Sequence, residues 1–463
     1  MLGKTVSAPD AQLKQDIQLL CGQYAQYNSF DPELFSKFAV KRGLRNADGT
    51  GVLAGITQIC NVHGYLLSEG EKVPIDGELT YRGYSIRDLI AGAQAGGRYC
   101  FEETAWLLLL GFLPDGMQLR RFFDILSDAR ALPDNFTEDM IMKAASPNIM
   151  NMLARSVLAL YTYDPAPEDT SIENVMLQSI QLIARMPSIM AAAYQVKKRV
   201  YDGRSMYLHN PNPEFSTAQN ILRMLRSDKQ FTEDEAHLLD LCLTLHSEHG
   251  GGNNSTFAVR VLTSSRTDTY SAISAGIGAL KGPRHGGANF KVIEQLEYLK
   301  ANVRNWDDDG EIRDYLRRVV RREAGDRSGL IYGMGHAVYT KSDPRERLLK
   351  ENALRLARGT EFEAEFCLLD AIERLAPDVL HEKQGGDKPI CANIDLYSGL
   401  VYRMLGIPDE LHTPLFACAR TAGWCAHRLE ELSTGGKIGR PAFKSIVHPR
   451  DYIPLESRAT AAV

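Results

Sequence analysis

The sequence predicts an all-α fold with a small β element near its N-terminus. Apolar residues recur at helical spacing through most of the 463 residues. Alternation of apolar and polar residues is confined mainly to residues 52–86, where it predicts a short hairpin rich in glycine. The hydrophobic fraction of 44% and the charged fraction of 24% are ordinary for a compact globular chain, so a disordered or collagen-like protein is excluded.

The amphipathic stretches predict the individual helices. Thr232 and Glu235 have the spacing of a capping box, and Leu238, Leu239 and Cys242 follow at helical spacing, so a buried helix should begin there. It should end near His246, because three consecutive glycines follow at 250–252 and disfavour a helix. The other predicted helices cover 12–24, 101–113, 151–161, 172–200 with a break near Pro187, 217–225 and 308–321.

The charge balance limits the classes of partner. Lys and Arg number 53 against 58 Asp and Glu, for a formal net charge of -5, so we expect neither nucleic acid nor an anionic membrane as a partner. The longest apolar run, 105–113, is far shorter than the roughly 20 residues that span a bilayer, so we expect no transmembrane helix.

The N-terminus and the cysteines indicate a cytoplasmic protein. The first sixteen residues lack the apolar core of a secretory signal and contain no Arg, unlike a transit peptide. Eight cysteines are scattered without a CxxC pair, so we expect reduced core thiols.

Chemistry is expected in four loops rich in glycine or polar residues. The chain has no GxSxG, HExxH, Walker loop or complete GxGxxG, so the common hydrolase and nucleotide motifs are missing. Each of the four loops follows a helical pattern and carries titratable side chains, which is how many helical scaffolds present function. The loops are HSEHGGGNNS (246–255), KGPRHGGAN (281–289), GMGHAVYTKSDPR (333–345) and NIDLYSG (393–399).

His285 lies between two helical patterns. Gly282 and Pro283 stop the first, and the second begins at Ala288, so the imidazole should sit near a helix N-terminus. The positive end of a helix disfavours imidazolium, and a neutral His there can donate a hydrogen bond to a developing oxyanion. On spacing alone, a histidine that only caps a helix or packs in the core is an alternative that is about equally compatible with the sequence.

The third loop pairs His336 with Arg345, a combination of a polarising donor and a fixed cation that suits a dianionic substrate. A surface turn in which Asp343 pairs with Arg345 is about equally compatible with the Asp-Pro-Arg sequence. Both interpretations stay open at this point.

Asp395, Arg420 and Arg440 are the remaining candidates. Asp395 lies in an apolar stretch, where burial would raise its pKa and make it a better base, although a helix-capping role is favoured two to one on spacing alone. Arg420 lies in an apolar run and therefore needs an anion, either a ligand or an internal carboxylate. Arg440 follows the same helix, and a solvated loop charge is its commoner fate.

A metal site is a weaker hypothesis. His246 and His249 have i,i+3 spacing, and Glu248, His336 and Asp395 could complete a ligand set together with His285. Such an HxxH pair without a second recognisable ligand pair is more often structural, so we predict no metal.

Taken together, the segments resemble the citrate synthase family over residues from about 51 to 443. The combined order and spacing of these segments are highly specific, although no single segment is specific by itself. The segments that carry the resemblance are DGELTYRGYSIRDLI (76–90), FEETAWLLLLGFLP (101–114), IGALKGPRHGGAN (277–289), the third and fourth loops above, and ARTAGWCAHRLEE (419–431).

The resemblance implies a catalytic role for three residues. His285 matches the histidine that hydrogen-bonds the thioester carbonyl, with Ser255 near it, and Asp395 matches the base that removes a methyl proton from acetyl-CoA. His336 matches the residue that polarises and protonates the ketone of oxaloacetate.

It also implies the substrate contacts. His249, Arg345 and Arg420 match positions that hold the carboxylates and oxygens of oxaloacetate, and Arg440 matches an arginine that reaches the neighbouring subunit's site. The sequence departs from the family at three positions. Ala337 and Thr340 stand where some members have a basic residue, and Gly250 stands where some have an acid. Lys341 and Arg284 are therefore substitute candidates for binding the CoA phosphates.

The implied architecture is an obligate homodimer of two-domain helical subunits. The large domain would contain 1–285 and 395–463, and the small domain 286–394, with substrates bound between them. The implied activity is condensation of acetyl-CoA with oxaloacetate and hydrolysis of citryl-CoA to citrate and CoA, an acyltransferase reaction of the tricarboxylic acid cycle. It needs no cofactor, since acetyl-CoA is a substrate.

Three alternatives stay open, and each has a discriminating observation. A 2-methylcitrate synthase would use propionyl-CoA, which differs by one methylene. A metal-dependent hydrolase would lose activity with a chelator and regain it with zinc. A non-catalytic helical scaffold would release no thiol from a thioester when oxaloacetate is added.

Overall fold

A computed structural model describes residues 11–28, 31–46, 49–68, 71–386 and 388–458. The chain divides into two compact units, one comprising residues 1–52 and 439–463 and the other residues 53–438. The predicted division into 1–285 with 395–463 and 286–394 is a different partition, and it stays a prediction.

The first unit is mostly helical in its N-terminal part, as predicted. It contains α1 (Ala11–Tyr27), α2 (Glu33–Lys37) and a 3-10 turn at Arg42–Leu44. No residue of α1 is buried in this chain. The described C-terminal residues of the unit, 439–458, are exposed and include Lys444, whose Nζ lies 5.7 Å from the centre of the Phe38 ring.

The second unit begins with the predicted hairpin, which is extended by a third short strand. The strands β1 (Cys60–Ser68), β2 (Glu71–Tyr81) and β3 (Tyr84–Ser85) form an antiparallel sheet in that order. Gly77 donates its N–H to the Ser342 carbonyl at 3.1 Å, and a Cβ at Gly77 would overlap that oxygen. The hairpin therefore packs against the loop that carries His336 only because a glycine stands at the contact.

In the described part of the chain, the sheet is followed first by the helices α3 to α11. Thr232 caps one of them, α9, in the predicted capping box, and the helix ends at His246 as expected. The helix predicted for 101–113 ends earlier, at Leu110, because Gly111 adopts a left-handed conformation with φ of 87°. The helices are α3 (Ile86–Ala95), α4 (Phe101–Leu110), α5 (Gly116–Ala129), α6 (Ile149–Leu160), α7 (Ile172–Val200), α8 (Thr217–Leu225), α9 (Glu233–His246), α10 (Asn254–Ser264) and α11 (Thr269–Leu280).

The predicted break near Pro187 is wrong, because α7 runs without interruption through that residue. Proline removes one backbone hydrogen bond, but Pro187 and its neighbours Met186 and Ser188 are buried, so packing outweighs the loss. By length and composition α7 could also cross a membrane, and 72% of its most apolar window is buried inside the protein, as in the core helix of a globular domain.

Three of the remaining helices carry candidate site residues, which are Arg345, Asp395 and Arg420. The helices α12, α13 and α15 pack together, and α16 packs against α12, α14 and α15. The long helix α17 lies in the core against α4, α7, α9, α10 and α11, and its Arg420, Trp424 and Arg428 side chains are fully buried. The helices are α12 (Ala288–Asn302), α13 (Asp309–Val320), α14 (Pro344–Ala357), α15 (Glu363–Gln384), α16 (Asp395–Met404) and α17 (His412–Ser433).

Candidate active site

The turn after α9 presents His249. The α9 end is fixed by Tyr81, whose hydroxyl donates to the carbonyls of Thr244 at 3.2 Å and Glu248 at 3.0 Å. Gly250 then turns the chain with φ of 90°. The Nε2 atom of His249 is buried without a hydrogen-bond partner in the described part of the chain. Burial, followed by the charge of Arg345, lowers the pKa of His249, so the ring is neutral at pH 7.

Arg420 projects from α17 towards this turn. Its Nε donates to the His246 carbonyl at 2.7 Å, and its guanidinium lies 4.6 Å from the centre of the Phe416 ring. Both terminal nitrogens, Nη1 and Nη2, are buried and have no hydrogen-bond partner among the described residues. The internal carboxylate that would have explained a buried arginine is therefore not seen in the described ion pairs, and an anionic ligand fits the two open donors.

The His336 loop is held beside the start of α16 by backbone hydrogen bonds. Gly335, with φ of 84°, donates its N–H to the Cys391 carbonyl at 2.7 Å. Asn393 donates its backbone N–H to Gly333 and its side-chain amide to the Gly335 carbonyl, both at 2.9 Å. These bonds fix His336 relative to Asp395, two residues beyond Asn393.

The hydrogen bonds of His336 define which of its ring nitrogens carries the proton. Nδ1 accepts from the backbone N–H groups of Val338 and Tyr339, both at 3.0 Å, so in the neutral ring the proton resides on Nε2. Tyr339 also stacks on the imidazole, with ring centres 4.6 Å apart. His336 is therefore arranged as an Nε2–H donor, the form needed to polarise and protonate a ketone.

Arg345 lies in the first turn of α14 and forms a buried ion pair. Its Nε and Nη2 donate to Asp343 Oδ1 and Oδ2 at 3.1 and 2.7 Å. Burial alone would raise the pKa of Asp343, but Arg345 outweighs it and holds that pKa below its usual range. Arg345 pairs with Asp343 as the turn interpretation expected, but the pair is buried and not on the surface. The interpretation that Arg345 binds a dianionic substrate stays a prediction.

Asp395 is the first residue of α16 and does not cap that helix, whose N-cap position is Ile394. Burial raises the pKa of Asp395 to about 6, against the opposing charge of Arg345 and Arg420. A carboxylate with this pKa is ionised at pH 7 and is a stronger base than an ordinary aspartate. The expectation of a pKa raised by burial is met.

His285 lies in the break between α11 and α12. Its Nε2 is 3.0 Å from Ser255 Oγ, which also accepts from the Trp424 indole N–H at 3.2 Å. Burial lowers the pKa of His285 to about 4, and the charge of Arg420 acts in the same direction. The imidazole is neutral at pH 7. Ser255 donates its hydroxyl to Asn253 Oδ1 at 2.9 Å here, so the ring proton lies on Nδ1 for a ligand only when Ser255 turns its hydroxyl to Nε2 instead.

Aromatic contacts form two groups of rings, and the charges of Arg345 and Arg420 link these groups to each other and to Asp395. The rings of His249 and His336 meet edge to face, with centres 5.1 Å apart. The Phe416 ring lies between the other members, 4.8 Å from the His246 ring and 6.3 Å from the His285 ring. The two guanidinium groups, the carboxyl of Asp395 and the neutral imidazoles thus combine cationic binding groups with an acid and a base.

Arg440 is not part of this cluster. It is exposed and belongs to the other compact unit. A cavity of about 650 Å³ in the second unit is also separate, since it is lined by residues of 127–138, 188–195, 207–213 and 224 and by none of the predicted site residues.

The metal hypothesis finds no support in the described residues. They contain no group of three or more His, Cys, Asp or Glu side chains arranged to hold an ion. His246 directs Nδ1 to the Cys242 carbonyl at 2.8 Å, and burial lowers the pKa of this histidine to about 3.

Comparison with known proteins places the chain in a family. The model for the C-terminal domain of citrate synthase matches residues 46–442. The citrate synthase of Acidithiobacillus ferridurans is 35% identical over 88% of this chain and 97% of its own length. A 2-methylcitrate synthase of Corynebacterium glutamicum is 30% identical over 90% of this chain and 98% of its own.

Solved structures agree with the sequence relatives. Citrate synthase from Pyrobaculum aerophilum matches with a TM-score of 0.73 and 28% identity, over 90% of this chain and 95% of that one. Citrate synthase from Thermoplasma acidophilum, solved as a ternary complex with carboxymethyl coenzyme A and oxaloacetate, matches with a TM-score of 0.74 and 25% identity, over 90% and 99%.

The fold and the site define an all-α enzyme that combines buried arginines with acid–base groups. The family model and the sequence relatives then identify the family of this enzyme. The chain belongs to the citrate synthase family. The predicted fold class and the predicted citrate synthase type of acyltransferase are confirmed. The predicted dimer and the predicted roles of the individual residues stay predictions.

Sequence reasoning missed several residues that shape the site. Asn393 holds the His336 loop, and Phe416 contacts three members of the cluster. Glu248, named only as a possible metal ligand, forms a buried pair with His427 instead. Asn393 and Glu248 lie within the loops quoted above, and their place in those loops was the available signal.

Proposed function

We propose that the protein condenses acetyl-CoA with oxaloacetate and hydrolyses citryl-CoA to citrate and CoA. The observation that carries this proposal is the two open nitrogens of Arg420, whose charge acts on the base Asp395 and on His249, the ring that meets His336. Oxaloacetate is a dianion with a ketone, and the site offers cations for its carboxylates and a proton for its ketone oxygen.

In the first step Asp395 takes a proton from the methyl group of acetyl-CoA. The electron pair of that C–H bond moves into the thioester, and His285 donates a hydrogen bond to the carbonyl oxygen as the enol forms. A positioned acid or base contributes about 10² to 10⁴ in rate, and one preorganised donor lowers the barrier by about 3 kcal/mol. Neither group would suffice alone.

In the second step the enol carbon attacks the ketone of oxaloacetate and forms the new C–C bond. The Nε2 proton of His336 goes to the ketone oxygen, while His249, Arg345 and Arg420 bind the carboxylates. Water then cleaves the thioester of citryl-CoA and releases CoA and citrate. No metal or prosthetic group takes part in this proposal.

The experiment is thiol release from acetyl-CoA with and without oxaloacetate. We expect release only when both are present, unchanged by EDTA. Release without oxaloacetate, or loss with EDTA and recovery with zinc, would overturn the proposal in favour of a thioesterase or a metal-dependent hydrolase.

Propionyl-CoA is the second candidate acyl donor, supported by the 30% identity to a 2-methylcitrate synthase. One methylene changes binding by about 1–3 kcal/mol, so both donors can react at measurable rates. We expect a higher kcat/KM for acetyl-CoA, and the opposite ratio would make 2-methylcitrate the main product.

A homodimer with shared sites is part of the proposal. The apolar side chains Leu20 and Tyr24 of α1 are 57% and 68% exposed and Phe443 is 95% exposed, which supports burial against a second copy. Arg440 would then reach the partner's site. Mixing Arg440→Ala with Asp395→Asn subunits should restore activity, and mixed dimers without rescue would refute sharing.

Two further statements belong to the proposal. Substrates would bind between residues 286–394 and the rest of the second unit, so that closure excludes water before condensation. The protein would act in the cytoplasm, which is supported by eight cysteines that are all free thiols. Cell fractionation with an antibody tests the location.

A further inference from the structure

We propose that Glu248 and His427 form a positioning pair that holds His249 and Arg420 in the geometry required by oxaloacetate. The inference rests on the proposed function, because it concerns how that function's ketoacid site is built. Neither residue touches the reacting atoms in this account.

The pair is a buried hydrogen bond between remote parts of the chain. His427 Nε2 lies 3.0 Å from Glu248 Oε1, and both side chains are fully buried. The same carboxylate oxygen accepts the backbone N–H of Gly250 at 2.5 Å. Glu248 is therefore bound both to α17 and to the turn that follows His249.

Arg260 fixes the proton of His427. Its Nε and Nη2 lie 3.0 and 2.8 Å from His427 Nδ1, and an arginine can only donate. Nδ1 is therefore the acceptor, and the ring proton lies on Nε2, facing Glu248. Arg260 is itself paired with the carboxylates of Glu430 and Glu431.

A second hydrogen bond also joins α17 to the turn that carries His249. Arg420 and His427 lie two helical turns apart on one face of α17. Arg420 donates to the His246 carbonyl and His427 to the Glu248 carboxylate, so the turn that carries His249 is held at two points.

Gly423 allows this close approach. It lies between Arg420 and His427 on α17, and a Cβ there would overlap Glu248 Oε2 and the Ser247 carbonyl. The helix and the turn are therefore in contact at the level of the backbone. A displacement of the Glu248 carboxylate would be transmitted directly to His249, the next residue.

Glu248 also provides charge to its surroundings. Burial opposes ionisation, but His427, Arg420 and the Gly250 N–H outweigh it, and the pKa of Glu248 is lowered. The carboxylate is the first opposite charge acting on Arg420, whose pKa burial lowers. It thus favours the cationic form of an arginine whose terminal nitrogens stay open to the ketoacid.

Two substitutions of His427 separate positioning from general stability. The amide nitrogen of Gln lies close to the position of Nε2, so His427→Gln keeps a donor to Glu248. In His427→Asn the shorter amide reaches only the position of Nδ1, next to Arg260. We expect His427→Asn to raise the KM for oxaloacetate at least tenfold and to change the KM for acetyl-CoA less than twofold, whereas His427→Gln stays within threefold of the parent.

The control is Glu102→Gln, a buried carboxylate that accepts the Thr217 N–H at 2.7 Å outside the site. It should lower the unfolding temperature without altering the KM for oxaloacetate. Gly423→Ala, which forces the Glu248 carboxylate to move, should reproduce the effect of His427→Asn and serves if that variant does not fold.

Equal oxaloacetate KM values in the parent, His427→Asn and Gly423→Ala would overturn the inference. So would equal rises in both KM values, since a general loss of structure affects both substrates. Failure of the proposed function is a different result, because the parent itself would then release no thiol.

Discussion

Two buried arginines at the site differ in how their charge is satisfied. Arg345 is fixed by a bidentate pair with Asp343, in which both Oδ atoms accept from its guanidinium. Arg420 donates only its Nε, to a backbone carbonyl, and both its terminal nitrogens lack a hydrogen-bond partner among the described residues. The first arginine has an ion-pair partner within the protein, and the second has none among the described residues.

The difference separates two uses of a buried cation. A satisfied ion pair fixes the start of α14 and contributes a defined positive field. A buried guanidinium whose nitrogens lack hydrogen-bond partners lowers the free energy of unfolding unless an anion binds to it. Part of the binding free energy of a carboxylate therefore comes from its hydrogen bonds to these nitrogens. Asp395 experiences the charge of both arginines, which moderates the rise of its pKa.

The largest effect is expected from Asp395→Asn, which removes the carboxylate that both arginines influence. Without a base, kcat should fall by at least about 10³. Calorimetry should show that oxaloacetate still binds, since the arginines remain. Near-parental turnover would refute the assignment of the base.

The next effect concerns Arg345. Substitution to Met leaves the Asp343 carboxylate buried without its partner, which costs about 3–5 kcal/mol in the free energy of unfolding. Urea denaturation measures the loss, and Arg345→Met combined with Asp343→Asn should recover part of it. Unchanged stability of the single variant would show that the pair is not fixed in solution.

Arg420→Met should show the contrasting pattern. The KM for oxaloacetate should rise by about 10 to 100-fold, because each lost bond to a charged group is worth about 1.5–3 kcal/mol. Its loss of stability should be smaller than that of Arg345→Met. Added oxaloacetate should raise the unfolding temperature of the parent but not of this variant, and an equal rise in both would contradict the comparison.

The smallest effect is a pH dependence. Asp395 must be ionised to act as the base, so kcat/KM should increase with pH, reach half its maximum near pH 6 and level off above about 7. Protonation of His285, with a pKa of about 4, lies below this range. A profile that is flat down to pH 5 would contradict the raised pKa of Asp395.

Local sequence signals predicted much of the scaffold. The capping box at Thr232 and the glycines after His249 located both ends of α9, because caps and positive φ angles are local properties. The helix break predicted near Pro187 was wrong, because a helix packed in the core tolerates the loss of one backbone hydrogen bond.

The sequence offered candidate site residues one by one but not the network of contacts between them. The Asp-Pro-Arg sequence could not distinguish a surface turn from the buried Asp343–Arg345 pair, since burial is set by the surrounding helices. Glu248 and His427 are 179 residues apart, and no local pattern indicates that they meet. The resemblance to a family supplied the grouping that spacing alone left open.

The central claim is that Asp395 removes the methyl proton of acetyl-CoA in a site completed by a dicarboxylate. The direct measurement is exchange of those methyl protons with deuterium in D₂O, followed by proton NMR, with a four-carbon dicarboxylate that lacks the ketone in place of oxaloacetate. We expect exchange by the parent, none by Asp395→Asn and little without the dicarboxylate. Exchange by Asp395→Asn at the parental rate would contradict it.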